Sequence, residues 1–141
     1  NVYRIHVLQA AFLLEKWKIF ERVLEHRRRI AAVYDECFRG TPVKPQRILQ
    51  DCQSSYFAYV VQIPDRDRTG ERLKARAIPW TIQYRYLLHE QPVWGRMSTR
   101  TTPVPNALKA ASEIMSLPIN CSVTEEQAAY VAENLLDCLK A

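Results

Sequence analysis

"YFAYVVQIPDRDRTGERLKARAIPWTIQYR" fills residues 56–85. Its first eight residues are aromatic or β-branched and stop at Pro64, which is the composition of a strand. "PDRDRTG" then reads as a turn and "ERLKARA" as a short helix. "IPWTIQYR" (78–85) reads as a second strand, and alternation puts Ile78, Trp80, Ile82 and Tyr84 on one face. A strand, a helix and a strand at the centre of the chain predict a small sheet backed by helices.

Upstream, Leu13, Trp17, Phe20, Leu24, Ala31, Tyr34 and Phe38 recur at steps of four and three, with Arg27 filling the gap. This spacing predicts one long helix, ended by Gly40, Thr41 and Pro42. Inside it, "HRRRI" (26–30) reads as a wet face, and residues 41–55 read as a loop. Downstream, residues 86–105 predict a proline-punctuated loop long enough to be functional or mobile. "NALKAASEIM" predicts a helix capped by Asn106, and "SLPIN" a short strand. "SVTEEQAAYVAENLLDCLK" predicts a closing helix with Thr124 as its cap and Glu125 and Glu126 in its first turn. Ala128, Val131, Leu135, Cys138 and Leu139 form its apolar face. The expected fold is therefore an α/β or α+β sandwich in a single domain, residues 1–141.

Composition narrows the function classes. No apolar run approaches the roughly 20 residues of a bilayer span, and charges at Arg4, Glu15 and Lys16 interrupt any signal-like start. Cys37, Cys52, Cys121 and Cys138 are scattered without a CxxC pair, which predicts reduced thiols in a cytoplasmic protein. The net charge of +5 favours anionic partners without choosing among them. Three glycines provide no GxGxxG or P-loop, and His6, His26 and His89 lack metal-site spacing. Asp65 and Asp67 alternate with arginines and read as a solvated turn. The aromatics of 56–63 lack the glycine and basic residue of an RNA-binding pattern. Motifs alone describe a module that binds or assembles.

The order of the segments carries a resemblance. "YRIHVLQAAF", "RRRIAAVYDECF", the 56–80 stretch, "QYRYLLHEQPVW" and "NALKAASEIMSLPINCSVTEEQAAYVAENL" together resemble the C-terminal small domain of the DegT/StrS family of pyridoxal-phosphate-dependent sugar aminotransferases. The resemblance covers nearly the whole chain. It implies the small domain of a fold-type-I enzyme: a long N-terminal helix, then a short three-stranded sheet flanked by helices. It also implies that the Schiff-base lysine lies on a large domain absent from this chain, so that the chain is silent alone. Pyridoxal 5'-phosphate would be the cofactor of the complete enzyme. The substrate would be a nucleotide-linked keto sugar or a cyclitol-type ketone, with glutamate or glutamine as amino donor.

In the family, the turn before the long helix reaches the neighbouring subunit's site. Tyr3 and Arg4 match its tyrosine–arginine pair and are expected at substrate, and Asn1 is the candidate for the cofactor phosphate because Val2 stands where the asparagine usually is. Tyr84 and His89 match the substrate loop, with Gln83 replacing the common histidine and Arg85 the frequent proline, and a tyrosine–arginine pair at this place resembles the branch that handles cyclitol-type ketones. Arg85 suits a substrate carboxylate or phosphate, against the alternative of a surface arginine at a strand end. Trp80 and Trp94 are expected to pack. Ala77 replaces the usual glycine before Ile-Pro, which predicts a backbone there without positive φ. The implied partners are the large domain, on this chain or another, and a second copy in a homodimer. A regulatory or split-enzyme module of the same family is the alternative, and a nucleic-acid-binding domain a distant third. No membrane partner is expected.

Overall fold

The computed structural model describes residues 4–94 and 102–140. In chain order these form helix α1 (Val7–Trp17), α2 (Phe20–Phe38), strand β1 (Lys44–Pro45), β2 (Tyr59–Gln62), α3 (Arg66–Ala75), a 3₁₀ turn (Leu88–Glu90), α4 (Pro105–Glu113), β3 (Ile114–Leu117) and α5 (Glu125–Lys140). The sheet order is β1-β2-β3, antiparallel throughout, with Val61 opposite Pro45 on one side and Met115 on the other.

The long amino-terminal helix is in fact two. Ile19 leaves helical geometry at φ −110 and ψ 2, and no glycine or proline marks the break. Trp17 and Phe20 stack across it with ring centroids 5.3 Å apart. The predicted stripe also divides in its surroundings. Ala31, Tyr34 and Phe38 are buried, whereas Leu13, Trp17 and Phe20 are exposed. Gly40 ends the helix as expected, at φ +72.

The core is built from Ile30, Tyr34 and Phe38 of α2, Tyr59 and Val61 of β2, Met115 and Leu117 of β3, Leu73 of α3, and the expected face of α5. The Tyr34 ring stacks on Tyr59 at 4.7 Å, and its hydroxyl donates to the Pro118 carbonyl at 2.9 Å. The Tyr59 hydroxyl donates to the Asp35 carboxylate. Burial pushes both phenols well above their usual range, with the Asp35 hydrogen bond adding to Tyr59. Thr124 caps α5 reciprocally: Thr124 Oγ1 accepts from Gln127 N–H at 3.2 Å and Gln127 Oε1 accepts from Thr124 N–H at 3.0 Å.

Several expectations are corrected. The strand at 56–63 narrows to Tyr59–Gln62, since Tyr56 sits at φ +44 and Ser54 Oγ accepts its N–H. The predicted loop 41–55 contributes β1. The "PDRDRTG" turn is mostly helix, with α3 starting at Arg66. The strand expected at 78–85 shrinks to one bridge, Thr81 to Ser116, added to the free edge of β3. The cause lies in Ala77, at φ +57, and in Trp80, which turns away to lie over α3 and donates its indole N–H to the Gly70 carbonyl at 2.7 Å. The inference that Ala77 avoids positive φ is therefore overturned. Asn106 is not a cap: α4 starts at Pro105, whose missing N–H suits a first turn, after Val104. The third strand is Ile114–Leu117 rather than 116–120. Of "HRRRI", only Arg29 is fully wet. His26, Arg27 and Arg28 are half-buried, and His26 Nε2 lies 2.9 Å from the Val123 carbonyl.

Candidate substrate-facing surface

The sequence points to two groups of residues, one at the amino terminus and one after Thr81. At the amino terminus Arg4 is exposed just ahead of α1, while Asn1 and Tyr3 lie outside the described residues. His6 has a structural role: its ring Nδ1 accepts from Leu8 N–H at 3.3 Å, and Gln9 Oε1 accepts from His6 N–H at 3.3 Å. It caps α1, a function the sequence signals only through an unusual cap residue paired with Gln9.

The second group follows the Thr81 bridge. Anchored to β3 there, the chain runs outward through a cis Gln83–Tyr84 peptide into an exposed loop. Tyr84 is 82% exposed, and Arg85 and His89 are exposed with it. A 3₁₀ turn holds the His89 backbone, and Glu90 Oε2 accepts from Leu87 N–H at 2.8 Å to close it. Trp94, expected to pack, is half-buried. Among the described residues no hydrogen bond or ion pair joins Arg4 to Tyr84, Arg85 or His89.

The start of α3 lies within electrostatic reach of this loop. Arg66 is buried, and its Nη1 donates to the carbonyls of Ala111 and Ile114, at the junction of α4 and β3. Its Nε donates to Asp67 at 3.1 Å. The Arg66 hydrogen bond holds the Asp67 carboxyl below its usual range, and the nearby Arg85 charge lowers it further. The fold thus brings Arg85 within electrostatic reach of Asp67, next to the buried Arg66. Sequence reading missed Arg66 because "PDRDR" looks like a solvated turn; burial is a tertiary property.

To hold pyridoxal phosphate unaided, the chain would need a sheltered lysine and a phosphate cradle. Lys16, Lys18, Lys44, Lys74, Lys109 and Lys140 are all exposed. Of the described glycines, Gly40 ends α2 and Gly70 lies beneath Trp80. The described residues do not fit the cofactor by themselves. Among them there is also no cluster of histidine, cysteine or acidic side chains suited to a metal ion, and no helix long and apolar enough to cross a membrane. All four cysteines are free thiols.

A sequence profile of the DegT/DnrJ/EryC1/StrS aminotransferase family matches residues 1–136. The chain belongs to this family. Among curated family relatives, it is 32% identical over 95% of its length to a pleiotropic regulatory protein of Geobacillus stearothermophilus, covering 37% of that protein. It is also 32% identical over 83% of its length to the UDP-2-acetamido-2-deoxy-3-oxo-D-glucuronate aminotransferase of Pseudomonas aeruginosa, covering 32% of it. A solved DegT/DnrJ/EryC1/StrS aminotransferase from Brucella abortus superposes with a TM-score of 0.88 at 29% identity, over 98% of this chain and 37% of that one. The S. venezuelae DesV structure superposes at 0.90 with 22% identity, a likeness of fold. The chain spans about a third of the length of these family members.

Proposed function

We propose that the chain works as the C-terminal small domain of a pyridoxal-phosphate-dependent aminotransferase acting on a nucleotide-linked keto sugar, and supplies one wall of the substrate site together with dimer contacts. A cyclitol-type ketone is the alternative substrate class. The cofactor, its lysine and the amino donor's binding groups then belong to a large domain, on this polypeptide or a partner, with glutamate or glutamine as donor. The observation that carries the reading is the exposed Tyr84–His89 loop. It is tied to β3 at Thr81 and presents a phenol, a guanidinium and an imidazole that no hydrogen bond among the described residues uses. Such a set suits an anionic, hydroxyl-rich ligand: Arg85 for a carboxylate or phosphate, Tyr84 and His89 for hydroxyls. In this reading Tyr3 and Arg4 serve the substrate site of the neighbouring subunit, with Asn1 at the cofactor phosphate. The aminotransferase from Pseudomonas aeruginosa named above, whose name gives it a UDP-linked keto uronic acid as substrate, agrees with a guanidinium in this position.

The test is glutamate-dependent amination of a nucleotide-linked 3-keto sugar by the complete enzyme containing this chain. Arg85→Gln is expected to raise KM for a keto uronic acid about tenfold, the size of one charge-assisted hydrogen bond, and to change KM little for the uncharged keto sugar. An equal effect on both substrates would remove Arg85 from the site. A second reading rests on the Geobacillus stearothermophilus relative, which carries a regulator's name at the same identity. Folded, cofactor-loaded enzyme without transamination would favour that reading.

A further inference from the structure

A cavity of about 280 Å³ lies between the flank of α2 and the segment that leads from β1 to β2. Its size is close to the lower end of small-ligand sites, roughly 300–1,000 Å³. Arg28, Ala32 and Asp35, spaced as one helical face, form the α2 side, and Ile48, Cys52, Gln53 and Tyr56 stand opposite. None of them belongs to the substrate-facing groups described above.

The polar groups of this cavity are held in place by the chain itself. Arg28 Nη2 donates to Gln53 Oε1 at 3.2 Å, which fixes the guanidinium against the facing segment while its other N–H groups stay available. Asp35 Oδ1 accepts from the Tyr59 hydroxyl, and its second oxygen has no partner among the described residues. The Tyr56 ring stacks on Tyr59 with centroids 6.2 Å apart, and Ser54 Oγ accepts the Tyr56 N–H at 3.0 Å. Burial raises the Tyr56 phenol, the Asp35 charge raises it further and the Arg28 charge lowers it, so both charges bear on the space at this ring.

The spacing selects the ligand. Arg28 and Asp35 are two helical turns apart, about 10 Å along the axis, and among the described residues no ion pair joins them. A molecule that meets both carries an anion and a cation several bonds apart. A dianion would be repelled at Asp35 and a dication at Arg28. Ala32, Ile48 and the Tyr56 ring make the rest of the wall apolar, which suits a hydrocarbon link between the two charges.

We propose that this cavity binds a small zwitterion of the ω-amino acid class, with its carboxylate on Arg28, its ammonium on Asp35 and its connecting chain over Ala32 beside Tyr56. The proposal does not depend on what the Tyr84–His89 loop binds.

Cys52 supplies a local reporter, because it is an exposed thiol lining the cavity, and Cys121, exposed and outside the lining, is its control. The test follows iodoacetamide alkylation of each cysteine by peptide mass spectrometry in the complete enzyme containing this chain. Two charge-assisted contacts on so small a ligand correspond to a Kd of about 1 mM, so 6-aminohexanoate at about 10 mM is expected to slow Cys52 about tenfold. Cys121 is expected to react at an unchanged rate. Glycine, whose charges are adjacent, and hexanoate and hexylamine, which carry one charge each, are expected to protect little. Arg28→Gln and Asp35→Asn are each expected to abolish protection, and the asparagine still offers the Tyr59 hydroxyl an acceptor. Absent protection, equal protection by glycine or by either single-charge probe, or protection that survives both substitutions would overturn the proposal. So would a Cys52 already unreactive without any probe, since another part of the enzyme would then fill the cavity.

Discussion

Ala77 carries a methyl group where the backbone is left-handed, at φ +57, and Tyr56 and Asp65 share the same region at +44 and +48. For a non-glycine residue this costs about 1–2 kcal/mol. Ala77→Gly relieves that cost but adds about 0.5–1 kcal/mol of unfolded-state entropy. The relief wins, so a net gain of about 0.5–1 kcal/mol is expected, measured as a higher urea midpoint at unchanged slope. Gly70 presents the opposite case. In a helix interior Gly→Ala ordinarily gains about 1 kcal/mol, but a Cβ at Gly70 would collide with the Trp80 indole. Displacing that ring costs about 1–3 kcal/mol in overpacking and also threatens the Trp80 hydrogen bond, itself worth about 1 kcal/mol. Gly70→Ala is expected to destabilise by about 1–3 kcal/mol and to shift tryptophan emission to the red. Neither residue announces its environment in sequence, because φ at 77 and the ring over 70 are set by what packs around them.

Among the elements, α3 depends most on a single side chain. Its helical propensity is broken by Gly70 and Thr69, and Asp65 makes no side-chain cap. Arg66 ties its first turn to the α4–β3 junction through the Ala111 and Ile114 carbonyls. Arg66→Met keeps the apolar stem but removes both donors, leaving two carbonyls with fewer partners. A loss of about 2–3 kcal/mol is expected by urea unfolding. Unchanged stability would show that these carbonyls are satisfied without Arg66. By contrast α5 was fully legible: its 3.6-residue apolar period, its Thr124 cap and its acidic first turn all act locally. The 78–85 strand was misread because alternation predicts pairing only if a partner edge lies alongside. Here Ala77 and Trp80 steer all but Thr81 away from β3.

For the molecule as a whole, stability has two pH limits. The folded Asp67 pKa lies below its unfolded value near 3.9, so its contribution is complete above that value and is lost as pH falls through the folded one. With its side chain 66% exposed, this limb amounts to about 0.5 kcal/mol or less. Tyr34 and Tyr59 contribute most to the alkaline limit, and burial of Tyr56 and Cys37, which raises both, adds to it. The folded values of Tyr34 and Tyr59 are raised, so above about pH 10 only the unfolded chain loses these protons, and stability falls by about 1.4 kcal/mol per phenol per pH unit. Urea titrations from pH 3 to 11 are expected to show a shallow acid limb and a steep alkaline one. Tyr34→Phe with Tyr59→Phe is expected to flatten the alkaline limb, at a cost in stability at neutral pH from the lost hydrogen bonds.

The sequence by itself determined the helices with a strong period, the stop at Gly40, the cap at Thr124, the buried faces of α2 and α5, and the family to which the order of segments belongs. These are local properties, because backbone geometry turns residue spacing into a face without reference to the rest of the chain. Only the tertiary structure decided that the first helix breaks at Ile19, that its leading half stays uncovered among the described residues, that Arg66 is buried, and that Tyr84, Arg85 and His89 face outward. Burial and pairing depend on what lies across the gap from a residue, and that neighbour comes from a distant part of the sequence or from a surface beyond this chain.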